Sequence, residues 1–381
     1  MKTIPTSMEV LSNLFNYISE GYSTLEEKEE GTIQLFLTHE GEKIECYLEA
    51  DLKELKYVEG RIKNPTVTLS STLYNWLDLA ANRLNPIKGV MTKKLKFKGD
   101  TSFFSSILSN GTSDVDVSEY DDPVTGFERA PSKHWKKPSK TLVINASPRG
   151  ERGYTYFYLN AFLKGLERGG NEVEVVSLHK LNINPCRGCW QCWLSGTGKC
   201  VYSDKDDVKK LYDKINDADL IVYAFPLYSG GIPGILKNFM DRGVIQLHPF
   251  MVEGLHAIRH PRRIKKDQSV VVFSICGFPE IEQLDAVRAH FEDWSHNSHI
   301  PIITEILRPG CMEICNNPLL YQVLNSVMDS LEKAGKDLFE KGEVDKKLLA
   351  LISQEGSTGE EFAANSNPFW FNKIARNEIT Y

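Results

Sequence analysis

The second half of the chain alternates short apolar runs with longer amphipathic stretches, and this alternation restricts the fold more than any other feature. The apolar runs are nearly continuous, which is typical of strands covered on both faces. They are Thr141–Asn145, Glu172–Ser177, Leu220–Ala224, Ser269–Ile275 and Ile302–Ile306. The stretches with helical periodicity are Tyr154–Arg168, Lys205–Asn216, Ile232–Arg242, Ile281–Trp294 and Leu319–Lys341. The pattern predicts an α/β domain with a doubly wound, five-stranded parallel sheet.

The loop after the first predicted strand has the composition of a phosphate site. It is Ala146–Thr155 (ASPRGERGYT) and opens onto a predicted helix. Backbone N–H groups at a helix N-terminus bind anions, Ser147 and Thr155 add hydroxyl donors, and Arg149 adds a charge. The loop has neither the G-x-G-x-x-G of a dinucleotide fold nor a Walker motif. It therefore predicts a phosphate-binding turn in a flavodoxin-like sheet.

The loops after the third and fourth predicted strands are suited to a flat ring. In Ala224–Arg242, Tyr228 offers an aromatic face, and Gly230-Gly231 lets the backbone approach a planar ligand closely. Ser274–Glu280 (SICGFPE) is another small-residue loop before a helix. The carboxyl ends of strands in an open parallel sheet meet at one edge, where ligands bind. We therefore expect the three loops to form one site.

A dense run of cysteines follows the second predicted strand. The segment PCRGCWQCWLSGTGKC begins at Pro185 and contains half of the eight cysteines: Cys186, Cys189, Cys192 and Cys200. A compact C-x2-C-x2-C loop can supply three thiolates to a 4Fe–4S cluster, with Cys200 as the fourth. Structural zinc normally uses two separated cysteine pairs, which fits this spacing less well. A packed loop without metal is the third interpretation.

These motifs resemble the NADPH-dependent FMN reductase family, in the branch that includes the iron–sulfur flavoproteins. The likeness covers residues 140–310 and implies FMN as cofactor and NAD(P)H as electron donor. It places Lys237 and Asp241-Arg242 after the second flavin loop, and it departs from the family at Tyr154, where asparagine is usual. The gaps between the cysteines match those of iron–sulfur flavoproteins. The implied FMN-binding residues are Ser147, Arg149, Tyr154, Thr155, Pro226, Leu227, Tyr228, Ser229, Gly230, Gly231, Cys276, Gly277 and Phe278.

The first part of the chain predicts a smaller α+β domain. Its elements are a helix over Met8–Ile18, strands over Thr32–Thr38, Lys43–Glu49, Glu54–Ile62, Pro65–Ser70 and Lys94–Lys98, and a helix over Thr72–Arg83. The first three strands have the alternation of a half-buried antiparallel sheet. The order of elements, and above all Pro65–Asp100, resembles the sterol carrier protein 2 fold, which implies an apolar ligand. The alternative that this unit binds no ligand and only packs, dimerises or caps its neighbour remains open.

The sequence predicts four segments. They are a sterol-carrier-like domain over 1–110, a linker over 111–139, an FMN-binding flavodoxin-like domain over 140–345 and a tail over 346–381. The linker prediction comes from its Gly, Pro and Asp content without periodicity. The tail is rich in aromatic residues, which suggests that it docks on a partner subunit or on the first domain.

Composition limits the partners and the compartment. The formal charge of -6 and pI of about 5.9 argue against nucleic acid as the main partner. The chain has no apolar stretch long enough for a transmembrane helix, and its N-terminus lacks the apolar core of a signal peptide. We therefore expect a cytoplasmic protein, where clustered cysteines bind metal or do redox chemistry more often than they form disulfides. The family resemblance implies a homodimer or homotetramer.

Taken together, the sequence predicts an FMN-dependent oxidoreductase. Electrons from NAD(P)H would pass to a small-molecule or protein acceptor, through a 4Fe–4S cluster if the cysteines hold one. Two alternatives stay open. One is a lipid- or acyl-binding protein in which the flavin has a sensing or structural role. The other is an electron-transfer flavoprotein that does not use nicotinamide directly.

Overall fold

The computed structural model describes residues 11, 12, 14–16, 18, 19, 22, 28–39, 41–80, 84, 86–108, 135–167, 171–254 and 257–376. The chain divides into two compact units, Met1–Asp121 and Asp122–Tyr381. The predicted linker lies outside the described residues from 111 to 134. The predicted helix over Met8–Ile18 lies partly outside them, and its described residues are helical.

The first unit is a five-stranded sheet with helices. In chain order its elements are β1 (Gly31–His39), β2 (Glu42–Ala50), β3 (Leu55–Glu59), β4 (Val67–Thr72), α1 (Leu73–Ala80), α2 (Pro86–Met91), β5 (Leu95–Gly99) and α3 (Thr101–Leu108). The strand order is β3-β2-β1-β4-β5. Strands β1, β2 and β3 pair antiparallel, as their alternation predicts. Strand β4 instead pairs parallel with β1, because the chain crosses the sheet after β3.

A buried amide joins three parts of this sheet. The side chain of Gln34 is 2% exposed, and its Nε2 donates to the carbonyls of Cys46 at 2.9 Å and Gly60 at 3.1 Å. Its Oε1 accepts from the N–H of Ile62 at 2.8 Å. The hydrophobic core of this unit contains the fully buried Trp76. Satisfying a buried amide in this way fixes the loop after β3 against the sheet.

The second unit contains the predicted parallel sheet. Its strands are β6 (Lys140–Asn145), β7 (Glu172–Ser177), β8 (Leu220–Pro226), the short antiparallel pair β9 (Val252–Glu253) and β10 (Ile258–Arg259), β11 (Ser269–Ile275) and β12 (Ile302–Arg308). The five long strands pair in parallel in the order β12-β11-β8-β6-β7. Numbered within the sheet, this is the order 2-1-3-4-5 of flavodoxin-like folds. The predicted fold class is confirmed.

Helices cover both faces of the parallel sheet. They are α4 (Tyr154–Leu166), α5 (Gln191–Leu194), α6 (Val208–Asp217), α7 (Gly234–Asp241), α8 (Asp285–Ser298), α9 (Cys311–Asn316), α10 (Tyr321–Lys341), α11 (Lys346–Ile352) and α12 (Gly359–Ala375). One core lies under α6, α7 and α8, and the other lies under α4, α10 and α11. Helices α4 and α10 approach so closely that a Cβ on Gly165 or Gly335 would come within 2.1 Å of the facing backbone. Among the described residues, no helix is long and apolar enough to cross a membrane.

Candidate functional site

Three loops meet at the carboxyl edge of the parallel sheet, as the sequence predicts. They leave β6, β8 and β11, which are neighbours in the sheet. Backbone hydrogen bonds continue the pairing into the loops: Ala146 donates to the Ala224 carbonyl at 2.8 Å, and Leu227 donates to the Ile275 carbonyl at 2.8 Å. The predicted phosphate and ring loops therefore lie side by side.

The first loop places its hydroxyl groups at the start of α4. Ser147 and Thr155 are buried, whereas Arg149 is exposed. Gly153 caps the helix, and a Cβ there would come within 2.8 Å of the Ser147 hydroxyl, so a larger residue would displace that side chain. The hydroxyl of Tyr154 accepts a hydrogen bond from Asn316 at 2.7 Å, which connects the loop to α9.

The second loop is a tight turn beside open space. Tyr228 and Gly231 exchange backbone hydrogen bonds of 2.9 and 3.0 Å. Ser229 and Gly230 between them have φ angles of 48° and 74°, as in a type I′ turn. A Cβ on Gly230 or Gly231 would meet nothing within 4 Å. Pro226 ends β8, and the Tyr228 ring is 48% exposed beside this space.

The third loop turns away from β11 through a buried cysteine. Cys276 Sγ accepts a hydrogen bond from the N–H of Phe278 at 3.4 Å, and burial raises the pKa of the thiol. A Cβ on Gly277 would again meet nothing within 4 Å. The Phe278 ring is 55% exposed and makes an edge-on contact with Phe362 of α12, with centroids 6.2 Å apart. The sequence gives no local signal for this contact with α12.

These loops fit a planar, phosphate-bearing cofactor such as FMN. Asn145 Nδ2 and Ser274 Oγ are buried at the ends of β6 and β11 and have no hydrogen-bond partner among the described residues. Polar atoms in such positions normally bind a ligand, water or ion. Gly230, Gly231 and Gly277 border open space, and Tyr228 and Phe278 beside them are about half exposed. Neither Asn145 nor Ser274 was recognised as a site residue from the sequence alone.

The cysteine run forms a cavity of its own. Cys186, Cys189, Cys192 and Cys200 all line one space of about 340 Å³. Burial raises the pKa of the Cys192 thiol, and the neighbouring thiols of Cys200, Cys186 and Cys189 add to the effect. Cys192 is buried, whereas Cys186 and Cys189 are exposed. The structure thus brings together the four thiols that the sequence singles out.

Aromatic rings and a strained residue shape the cysteine loop. Trp190 has a φ angle of 58°, which is unusual for a bulky side chain. Its ring lies 4.9 Å from that of Trp193, whose Nε1 donates to the carbonyls of Val244 and Leu247 at 3.1 and 3.0 Å. These hydrogen bonds anchor α5 to the segment that follows α7. The loop is therefore fixed at one side while its first two cysteines face solvent.

A guanidinium group lies at the wall of the cysteine cavity. The resemblance associates Arg242 with the flavin loops, but its side chain is buried and lines this cavity instead. Arg242 Nη1 donates to Asp206 Oδ2 at 2.6 Å and to the Asn184 carbonyl at 2.9 Å. Lys237 and Asp241 form an exposed ion pair with each other. Arg242 is therefore part of the wall of the cysteine cavity.

The donor set fits a thiophilic metal group by its chemistry alone, because all four cysteines line one cavity and sulfur is the ligand that such metals prefer. Within the described residues, however, no three His, Cys, Asp or Glu side chains gather closely enough to hold a metal ion. Cys186 and Cys189 would have to turn inward to join Cys192 and Cys200 as ligands.

Comparison with known proteins gives one family match for each unit. Residues 139–260 match the family model described as NADPH-dependent FMN reductase, and residues 15–107 match the SCP-2 sterol transfer family. Both resemblances stated from the sequence are thereby confirmed. Each match covers less than half of the chain.

Particular relatives are similar to the second unit. An iron–sulfur flavoprotein of Archaeoglobus fulgidus is 38% identical over 103 residues, which are 27% of this chain and 48% of the relative. An FMN-dependent NADH:quinone oxidoreductase of Pseudomonas syringae is 27% identical over 184 residues, 44% of this chain and 84% of the relative. The chain spans about half the length of the curated iron–sulfur flavoproteins that it matches.

One solved structure with a similar chain path is an FMN-dependent NADH-azoreductase from Bacillus anthracis, in complex with FMN. It is 17% identical, covers 53% of this chain and 100% of its own, and has a TM-score of 0.40.

Proposed function

We propose that the second unit binds FMN at the edge formed by its three loops and is an NAD(P)H-dependent oxidoreductase. The observation that carries the proposal is that the loops after β6, β8 and β11 lie side by side at one edge of the sheet, where Asn145 Nδ2 and Ser274 Oγ are buried without a partner among the described residues. The family match over residues 139–260 supports the same cofactor and the same kind of electron donor.

Each loop has a separate task in this proposal. Ser147, Arg149 and Thr155 would hold the phosphate, together with backbone N–H groups at the start of α4. The backbone of Leu227–Gly231 and of Cys276–Phe278 would hold the ring. Bound FMN supplies the redox chemistry. The chain then contributes binding, orientation and exclusion of water, and it needs no side chain as acid, base or nucleophile.

The proposal extends to a 4Fe–4S cluster held by Cys186, Cys189, Cys192 and Cys200. The four thiols line one cavity, and several relatives carry the name iron–sulfur flavoprotein. Such a cluster would supply one-electron transfer toward a small-molecule or protein acceptor. The proposed location is a reducing cytoplasm, where clustered cysteines bind metal or do redox chemistry more often than they form disulfides.

The first unit would contribute an apolar ligand site, and its support is the match to the SCP-2 sterol transfer family over residues 15–107. The proposed organisation is the sterol-carrier-like domain over 1–110, the linker over 111–139, the FMN domain over 140–345 and the tail over 346–381. A lipid-binding protein with a structural flavin is the competing function, because a sterol-carrier-like unit needs no redox partner for ligand binding.

A second copy of the chain would cover the tail. Helix α12 has no buried residue, and Phe369, Trp370, Phe371 and Ile374 are all more than half exposed. Apolar surface of this kind marks an interaction site. A homodimer or homotetramer would bury it next to the third loop, which α12 contacts through Phe362.

The decisive experiment is anaerobic purification followed by a visible spectrum, iron quantitation and addition of NADH or NADPH. We expect flavin bands that bleach with reduced nicotinamide, together with broad absorbance and about four irons per chain. A bound flavin that never bleaches would favour the electron-transfer protein. An apolar ligand in the organic extract, without turnover, would favour the lipid-binding protein. A chain that binds no flavin would refute the proposal.

A further inference from the structure

A buried arginine connects the last strand of the parallel sheet to the tail. Arg308 ends β12, and its side chain is fully buried. Its Nη1 donates to the carbonyl of Ile352, the last residue of α11, and to the carbonyl of Gln354 at 2.8 Å. A single nitrogen therefore fastens the segment that leads into α12 to the carboxyl edge of the sheet.

The backbone around Arg308 holds the third loop of the proposed FMN site. The N–H of Cys276 donates to the Arg308 carbonyl at 2.8 Å. Just beyond, Gly310 donates to the Phe278 carbonyl at 2.6 Å, and Cys311 donates to the Cys276 carbonyl at 2.9 Å. The third loop thus rests on the segment that begins at Arg308. The backbone of this arginine contacts the loop while its side chain holds the tail.

The tail returns to the third loop within a few residues. The ring of Phe362 in α12 meets the ring of Phe278 edge-on, with centroids 6.2 Å apart. The first turn of α12 is close as well, because a Cβ on Gly359 would come within 2.4 Å of Glu280 Oε1 at the end of the loop. A capping box fixes the residue at which α12 begins. The tail therefore packs along one side of the third loop, and Arg308 anchors it there.

Arg308 is a costly residue for packing alone. Its Nε and Nη2 atoms are buried and have no hydrogen-bond partner among the described residues. Burial lowers the pKa of Arg308 to about 10, so the guanidinium is still charged at neutral pH, and Glu313 is the weakest of the neighbouring groups that favour this charge. An apolar side chain of similar volume is often as stable in such a position. What arginine adds is the pair of charge-assisted hydrogen bonds to the tail.

We infer that Arg308 is a positioning residue of the proposed FMN site. It holds the tail against the third loop, so that Phe362 supports Phe278 and the loop is ordered before the ring binds. This inference rests on the proposed function, because the third loop is one of the two loops proposed to hold the ring. A loop that is ordered in advance loses less conformational entropy on binding. Loss of the anchor should therefore loosen the loop and weaken FMN binding together.

The first test measures the order of the loop in the flavin-free chain by hydrogen exchange and mass spectrometry. R308M fills the space of the arginine stem but cannot donate to the tail. We expect it to speed exchange about tenfold in residues 352–362 and at the N–H groups of Gly310 and Cys311 that hold the loop, with exchange in β6 unchanged. R308K keeps a charged donor for both carbonyls and should stay within about twofold of wild type.

The second test measures FMN affinity by flavin fluorescence titration. R308M and F362A should each lower the affinity about fivefold. The double variant should bind FMN no more weakly than the weaker single variant, because both changes act through the same contact. The matched control is F369A, since Phe369 lies on the same helix but contacts Trp370 and Lys373 there. Its affinity should stay within about twofold of wild type.

The outcomes separate this inference from the proposed function. Faster exchange in the tail without faster exchange at Gly310 and Cys311 would overturn the inference, because Arg308 would then fix the tail alone. Wild-type affinity for FMN in both R308M and F362A would overturn it as well and leave FMN binding intact. A wild-type chain that binds no FMN would instead refute the proposed function. If R308M does not fold, F362A decides, since it changes a half-buried ring on the outer helix and should still loosen the loop.

Discussion

Arg242 Nη1 and Asp206 Oδ2 are 2.6 Å apart, and their side chains are only 2% and 0% exposed. The carboxylate also accepts hydrogen bonds from the backbone N–H groups of Asn184 and Val208. The pair therefore joins the end of α7, the start of α6 and the segment before the cysteine run. A buried charge pair of this kind fixes geometry more than it adds net stability.

Replacing one partner of this pair should be costly. We expect Asp206→Asn to lower the free energy of unfolding by about 3 kcal/mol, because it leaves the guanidinium of Arg242 buried without a counter-ion. Asp213→Asn breaks an exposed pair with Lys209 on α6 and should cost no more than about 0.5 kcal/mol. Urea denaturation of both variants checks this, and equal effects would contradict it.

The lowered pKa of a second carboxylate leads us to expect a stability that depends on pH in acid. Burial tends to raise the pKa of Asp219, but hydrogen bonds from Ser139, Lys266 and Lys140 outweigh it and lower the pKa from 3.8 to about 2. A lowered folded-state pKa stabilises the protein above the ordinary pKa and loses that effect as the pH falls toward the folded value. Asp219→Asn should therefore cost roughly 1 kcal/mol at pH 7 after solvent screening. The difference from wild type should shrink between about pH 4 and pH 2. Urea titrations across this range measure it, and a gap that widens in acid would contradict the prediction.

Loss of the guanidinium in the first loop should weaken FMN binding. We expect Arg149→Gln to reduce the affinity for FMN about tenfold, because it removes a charge-assisted contact with the phosphate. Lys164→Gln is the matched control, since Lys164 lies in the last turn of α4, far from the helix N-terminus. Flavin fluorescence titration of the flavin-free protein measures both affinities. The assignment of the phosphate loop fails if the two variants bind equally well.

The fold of the second unit could be predicted because its strands are buried on both faces. All five long strands agree with their predicted ranges to within two residues, as in β11 (Ser269–Ile275). Near-continuous apolar runs leave few alternatives to a parallel sheet. Short or weakly amphipathic helices gave no such signal, so α9 and α11 were not predicted, and the helical form of the tail was not predicted either.

The candidate site could be predicted only where its residues are close in sequence. Loop composition located the three loops, and spacing located the four cysteines. The partnership of Arg242 with Asp206 spans 36 residues, and the Tyr202 ring stacks with guanidinium groups from two other segments. No local pattern marks such tertiary contacts. The burial of Ser274 Oγ likewise depends on strand packing that periodicity does not describe.

In the first unit, we expect the buried amide of Gln34 to stabilise the fold although it is a polar group. Gln34→Leu would leave the Gly60 carbonyl and the Ile62 N–H without their partner, and we expect a loss of about 2 kcal/mol in the free energy of unfolding. Thr68→Val, at the paired position on β4, should cost less than about 0.5 kcal/mol. Thermal and urea denaturation compare the two, and a neutral Gln34→Leu variant would show that the loop after β3 is not fixed by this amide.

The exposed face of α12 should control assembly. Phe371 and Ile374 are 73% and 74% exposed, so a charge there should not harm the fold of one subunit but should oppose burial against a second copy. We expect light scattering to show that the wild-type chain is an oligomer. The oligomer of the double variant Phe371→Glu, Ile374→Glu should dissociate at a protein concentration at least about tenfold higher than the wild type does. Glu360→Gln, in the first turn of the same helix, changes one charge away from this face and should leave the oligomer unchanged. An oligomer that survives the double variant would place the interface elsewhere, because buried glutamates in an apolar contact cannot keep their charge without a large penalty.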